Sequence, residues 1–202
     1  MAASMYRILL NRLILILLQF YIVAGSQNDS FYSFSVLDSE QNSISFKNYI
    51  GKVTLVVNVA SECGFTDAHY KSLIRLKNVL QPTGKFEILA FPCNQFGYQE
   101  PGSDADIQKF VMEMYHVNFP VLGKVDVIGE NASPAWKYLT SSFGTEPNWN
   151  FWKYLVDENG EVVNAWGPRT SVEDIFHEIK ESIDKIGYNK PPYRGHHHDD
   201  SL

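Results

Sequence analysis

The stretch Val53-Thr-Leu-Val-Val-Asn-Val-Ala-Ser-Glu-Cys-Gly-Phe-Thr66 constrains the fold more than any other part of the chain. From Val53 to Val59 the residues are nearly all apolar and mostly β-branched, without polar alternation, and that pattern belongs to a strand covered on both faces. Small polar residues follow, as in a tight turn from strand to helix. Tyr70, Leu73, Leu76 and Leu80 then recur at helical spacing, which predicts a helix over Asp67 to Leu80. Cys63 sits on the turn. The unpaired N–H groups of a helix N-terminus favour an anion, and the thiolate is the reactive form of cysteine. A lone cysteine can also be a small, inert core residue, but a place on such a turn favours reactivity.

The rest of the chain supplies partners for that strand. Phe31 to Val36 and Ser43 to Phe46 alternate around Asp38-Ser-Glu-Gln-Asn42, which predicts an N-terminal β-hairpin. Pro82-Thr-Gly84 ends the first helix and leads into a second buried strand, Phe86 to Phe91, so the pair should be parallel across a right-handed connection. Later helices announce their starts at Ser103 with Asp106, at Ser133 before Pro134, and at Ser171 with Asp174. Val172, Ile175, Phe176, Ile179, Ile183 and Ile186 give the last of these one apolar stripe for covering the sheet. Strands are expected at Val121 to Val127, and in a hairpin of Asn150 to Val156 with Glu161 to Ala165, turned at Asp157-Glu-Asn-Gly160. This order predicts an α/β fold: a central mixed β-sheet flanked by helices on both faces, with an N-terminal β-hairpin. Within that class it favours a thioredoxin-like fold.

A chain of 202 residues with 45% hydrophobic content suits one compact domain with short appendages. A net charge of -6 and no basic stripe argue against a nucleic-acid partner, and Lys71, Arg75 and Lys77 read as the solvated face of the first helix. A small anionic substrate remains compatible with this charge. Arg7 and Arg12 precede an apolar run from Leu13 and small residues near Ala24, so residues 1–26 read as a signal peptide cleaved between Ala24 and Gln27. The rival reading is a signal anchor, and only an uncleaved signal would tie the protein to a membrane. The domain then spans 27–188, and 189–202, with Pro191-Pro192 and His196 to His198, reads as a disordered tail. Entry into the secretory pathway places the protein in the endoplasmic reticulum lumen or outside the cell. There Cys63 and Cys93 are too few for a stapling framework and read as chemical, while Asn28 and Asn131 become candidate glycosylation sites.

Cys63-Gly-Phe-Thr66 puts a hydroxyl where a Cys-x-x-Cys motif carries its second thiol, so dithiol exchange within the motif is closed to this chain. A single thiolate can still attack the O–O bond of a peroxide and become a sulfenic acid. That step needs donors for the thiolate and for the leaving oxygen. Phe91-Pro-Cys-Asn-Gln-Phe-Gly-Tyr-Gln-Glu-Pro101 follows the second strand at the same sheet edge and offers the amides Asn94, Gln95 and Gln99; Trp149-Asn150 adds an indole N–H and an amide. Each taken alone also has an ordinary structural reading, since loop amides cap turns and tryptophans fill cores.

Three blocks together, Asn58 to Thr66, Phe91 to Pro101 and Trp149-Asn-Phe-Trp-Lys-Tyr-Leu155, resemble the signature blocks of the glutathione peroxidase family. The likeness extends in order and spacing from about Phe31 to Ile186, and a cysteine stands where many members carry selenocysteine. The form of the third block and the signal segment are most similar to the endoplasmic-reticulum branch, types 7 and 8. The resemblance implies a thioredoxin-like fold and a catalytic tetrad of Cys63, Gln99, Trp149 and Asn150. It implies hydrogen peroxide or organic and lipid hydroperoxides as substrates, no metal and no organic cofactor, and a monomer, because the insertion before Trp149 used by tetrameric relatives is missing. It also implies re-reduction by a protein disulfide isomerase or by glutathione. Ser103 to Tyr115 lacks the resolving cysteine that many cysteine-type members carry there. Cys93 therefore has two readings, an internal resolving thiol and a buried strand-end thiol. A second function follows if turnover is inefficient: a sensor oxidised at Cys63 that relays its state by binding partners.

Overall fold

Four strands in the order β4-β3-β5-β6 make the central sheet of the computed structural model, which describes residues 30–187. The signal segment, Asn28 and the tail 189–202 lie outside the described residues. Strand β3 (Val53–Val59) is buried along its whole length, as its apolar run requires. It pairs in parallel with β4 (Phe86–Pro92) and antiparallel with β5 (Lys153–Val156), which pairs in turn with β6 (Val162–Trp166). A separate antiparallel hairpin joins β1 (Ser35–Leu37) to β2 (Ser43–Ser45). Among the described residues no helix is long and apolar enough to cross a membrane.

The period of two along β3 divides the core. Val53, Leu55, Val57 and Val59 face α1 (Thr66–Leu80) and α4 (Phe176–Lys185), meeting Tyr70, Leu73, Leu76, Ile179 and Ile183, with α2 (Asp104–Tyr115) adding Ile107 and Val111. Val56 and Tyr154 face the other way, toward Trp136 and Leu139 of α3 (Pro134–Phe143) and toward Phe31 and Phe46 of the N-terminal segment. Each fully buried side chain of this size contributes roughly 1.5–3 kcal/mol.

Five sequence expectations are corrected. The N-terminal hairpin is shorter at both ends, because Phe31–Ser33 and Phe46–Tyr49 form 3-10 turns that stack the rings of Phe31 and Phe46 with centroids 4.8 Å apart. Val121 to Val127 is not a strand but makes only isolated bridges, to Ala90 and Asp38. Its N–H groups go to different acceptors: Leu122 to Ala90 O, Gly123 to Leu37 O, Lys124 to Asp104 Oδ1, Val125 to Pro92 O and Val127 to Gln95 Oε1. The fifth strand starts at Lys153 rather than Asn150, because Phe151 takes a left-handed φ of 66°. The Ser171–Asp174 box forms, with Asp174 N–H on Ser171 Oγ at 3.1 Å, but the α-helix proper begins at Phe176. Lys77 is buried and pairs with Glu87, whereas the exposed Lys71 and Arg75 pair with Asp67 and Glu173.

Candidate active site

Cys63 lies three residues before α1, in the turn that leaves β3. Thr66, in the place of a second thiol, closes this turn: its hydroxyl donates to Ala60 O at 2.6 Å and accepts from the Cys63 N–H at 3.2 Å, while its own N–H donates to Cys63 O. The hydroxyl is therefore structural. Cys63 is a free thiol, 8% exposed, packed in the core that faces α1.

The Phe91–Pro101 segment comes off the parallel neighbour β4 and is stitched to the Cys63 turn. Glu62 N–H donates to Gln99 O at 3.0 Å, and Ser61 Oγ donates to Glu100 Oε1 at 2.6 Å. Glu100 is fully buried, and burial pushes its carboxyl above the ordinary carboxylate range, against the Ser61 hydrogen bond and the Lys124 charge. Of the three amides in this segment, two prove to be scaffold. Asn94 Oδ1 accepts from the Glu100 N–H, and Gln95 Oε1 holds the N–H groups of Val127 and Ile128.

Gln99 meets the third block. The amide of Asn150 donates to Gln99 Oε1 at 3.0 Å and to Phe96 O at 3.2 Å. Asn150 is fully buried, yet its own Oδ1 has no partner. Trp149 is 37% exposed, with its ring beside Gly97 and 6.5 Å from that of Phe96. A Cβ at Gly97 would stand 3.3 Å from the indole, and this residue also has a φ of 69°, so glycine suits it on both counts. The structure thus brings Gln99, Trp149 and Asn150 together around Gly97, with Cys63 joined to them through Glu62. The sulfur itself makes no hydrogen bond to any of the three.

Asn58, inside the apolar run of β3, clasps the third block from beneath. Its Nδ2 donates to Trp149 O at 3.1 Å, its Oδ1 accepts from Trp152 N–H at 2.8 Å, and its carbonyl accepts from Phe151 N–H at 2.7 Å. Its amide, one of only two polar side chains in that run with Thr54, was the available signal. Beside Phe65 and Trp149 opens a pocket of about 600 Å³, lined also by Trp152, Gly167, Arg169 and Thr170.

Cys93 stands elsewhere. It is fully buried in the core on the opposite face of the sheet from Cys63, and burial raises its thiol to about 11. Its sulfur bonds to Gln95, donating weakly to Oε1 at 3.6 Å and accepting from the Gln95 N–H at 3.5 Å. Asn131 is exposed in the turn before α3. Among the described residues no group of three or more His, Cys, Asp or Glu side chains is placed to hold a metal ion, and His196 to His198 lie outside them.

Comparison with known proteins gives this geometry a setting. Residues 31–140 match the family model described as glutathione peroxidase. The chain is 47% identical over 170 residues to human glutathione peroxidase 7, covering 84% of this chain and 90% of that one. It is 40% identical over 184 residues to human probable glutathione peroxidase 8, covering 91% and 87%. The apo crystal structure of Trgpx superposes with a TM-score of 0.66 at 36% identity, covering 79% of this chain and 99% of that one. A thioredoxin-family thiol:disulfide interchange protein from Chlorobium tepidum, at 16% identity and a TM-score of 0.58 over 79% of this chain and 99% of that one, shares the fold alone, which is thioredoxin-like.

Proposed function

Starting from the fact that this chain belongs to the glutathione peroxidase family, near its type 7 and 8 members, and is a peroxidase, we propose that it reduces hydroperoxides through Cys63 with Gln99, Trp149 and Asn150 as its donors. The observation that carries this reading is the Asn150–Gln99 hydrogen bond. With Gln99 Oε1 occupied, its Nε2 hydrogens have no acceptor among the described residues, and the Trp149 indole N–H has none either. Two donors of this kind suit a developing negative charge.

The Cys63 thiolate attacks the outer oxygen of ROOH, the S–O bond forms as the O–O bond breaks, and the departing alkoxide takes a proton to leave as alcohol, or as water when R is hydrogen. Cys63 is then a sulfenic acid. A partner thiol attacks it, releasing water and forming a mixed disulfide, and a second thiol of that partner displaces Cys63 as thiolate. The partner proposed is a protein dithiol of the disulfide isomerase type in the secretory pathway, with glutathione as a slower substitute. What supports an outside reductant is Cys93: buried behind the sheet, it is poorly suited to resolve Cys63. No metal or organic cofactor enters the cycle.

The test is the mass and disulfide state of the protein after one equivalent of hydrogen peroxide, in wild type and Cys93→Ser. A sulfenic acid at Cys63 in both, cleared by a reduced disulfide isomerase with continuing peroxide consumption, is expected. A Cys63–Cys93 disulfide would return Cys93 to the resolving role. Oxidation that stops after one equivalent with the isomerase present would make the protein a relay instead.

A further inference from the structure

A fully buried lysine needs partners for its ammonium, and Lys153, at the start of β5, has three. None is an acid. Nζ donates to Phe151 O at 2.9 Å and to Gly167 O at 3.0 Å, and it lies 3.3 Å from Nε2 of His69. His69, in the first turns of α1, places Nδ1 3.1 Å from Phe65 O. A carbonyl only accepts, so Nδ1 carries the hydrogen and Nε2 is free to accept from the ammonium. Three hydrogens thus meet three acceptors. The imidazole is boxed between the ring of Phe151, with centroids 4.9 Å apart, and the edge of Phe65, at 5.8 Å.

Two of the groups held in this way reach the pocket beside Trp149. Phe65 and Gly167 line it, and Phe151 follows Asn150 directly. One ammonium therefore ties together the Cys63 turn, through His69 and Phe65, the segment Trp149–Trp152, and the loop that begins at Gly167. Phe151 has a left-handed backbone, a conformation that a bulky residue keeps only when its surroundings impose it. Here both of its peptide groups are pinned, the N–H by Asn58 O and the carbonyl by Lys153.

Lys153 shares its sheet face with Leu155, the face on which Cys63 packs. The acid facing the pair, from the turn before α4, is Glu173, which is exposed and paired with Arg75 at 2.7 Å. The buried positive charge is consequently left without an anion. Burial lowers the Lys153 ammonium to about 8, and burial together with that ammonium lowers the His69 imidazole to about 4. At neutral pH the lysine keeps its charge and the histidine is neutral.

We propose that Lys153 and His69 are a positioning pair for the peroxidase site, with the ammonium holding Trp149 and Asn150 in register with Cys63. The inference rests on Cys63 as the reacting residue.

The test uses the full-length folded protein, with urea unfolding measured alongside to separate stability from rate. In Lys153→Met, the rate of oxidation by hydrogen peroxide at pH 7 should fall about tenfold, because Trp149 and Asn150 lose their register with Cys63. Lys153→Arg, which keeps a charged donor for the two carbonyls, should recover most of that rate. A folded Lys153→Met protein with the wild-type rate overturns the proposal. If that variant does not fold, His69→Gln decides: it keeps the ammonium and loses the imidazole link, so a several-fold slower reaction is expected, and a wild-type rate overturns the pair. Failure of the underlying reading looks different, as Cys63→Ser would then still consume peroxide.

Discussion

The side-chain amide of Asn150 donates to Gln99 Oε1 at 3.0 Å, joining residues 51 positions apart. Because the same Nδ2 also donates to Phe96 O, the Asn150 amide cannot be turned over without losing both bonds. Gln99 is thereby oriented with its donor end available. Asn150 Oδ1 is left buried without a partner, a state that costs about 1–3 kcal/mol unless a water, the thiol or the peroxide hydrogen fills it.

Gln99→Glu keeps the acceptor that Asn150 holds and removes the donor. It should slow oxidation of Cys63 by hydrogen peroxide roughly a hundredfold, the loss typical of one preorganised donor. Stopped-flow tryptophan fluorescence measures this, and a variant within threefold of wild type would remove Gln99 from the chemistry.

Asn58→Ala should destabilise the protein by about 1–3 kcal/mol, because Trp152 N–H and Trp149 O lose their side-chain partner at the base of the site. The urea midpoint reports the stability. The peroxide rate should fall in the same variant because Trp149 and Asn150 lose their support. An unchanged rate in a destabilised protein would show that the clasp serves the fold alone.

His69 makes stability depend on acid. Its imidazole is held at about 4 in the folded protein against 6.5 unfolded, so between these values the unfolded chain binds the extra proton. This contribution is present above pH 6.5 and is lost as the pH falls through about 4, to the extent of about 2 kcal/mol after allowing for solvent screening. Urea unfolding from pH 7 to pH 4 should show a smaller fall in His69→Gln than in wild type. Parallel curves would assign the acid sensitivity to other groups.

Gly160→Ala tests the turn between β5 and β6. Gly160 has a φ of 91°, and a Cβ there would meet Ser30 Oγ and Tyr32. A loss of about 1–3 kcal/mol is expected from overpacking and left-handed strain, with the peroxide rate unchanged. A wild-type melting temperature would mean that the N-terminal segment gives way freely.

Where local pattern and final structure agree, each residue serves one element. The run Val53–Val59 is a strand because every position along it is covered, and the Ser103–Asp106 capping box forms with both of its hydrogen bonds. The departures come where distant segments compete for one stretch of backbone. Val121 to Val127 has the composition of a strand, but its N–H groups are divided between β4, the N-terminal hairpin, Asp104 and Gln95. Asn150 to Trp152 alternates like a strand and is instead bent around Asn58. In the site, the three blocks named Cys63, Gln99, Trp149 and Asn150 through family likeness. The work of Asn58, Glu100 and Lys153 was hidden, because a polar residue inside an apolar pattern shows its partner only when chain segments far apart in sequence are brought together.

The two thiols lie on opposite faces of the sheet, with Cys63 8% exposed and Cys93 sealed. Under the proposed cycle such a protein would resemble one electrode of a cell whose other electrode is a separate molecule. Its state of charge would then follow the ratio of peroxide to thiol in the surrounding fluid, and with that partner withdrawn it would hold the oxidising equivalent at Cys63 instead of burying it in a bond of its own.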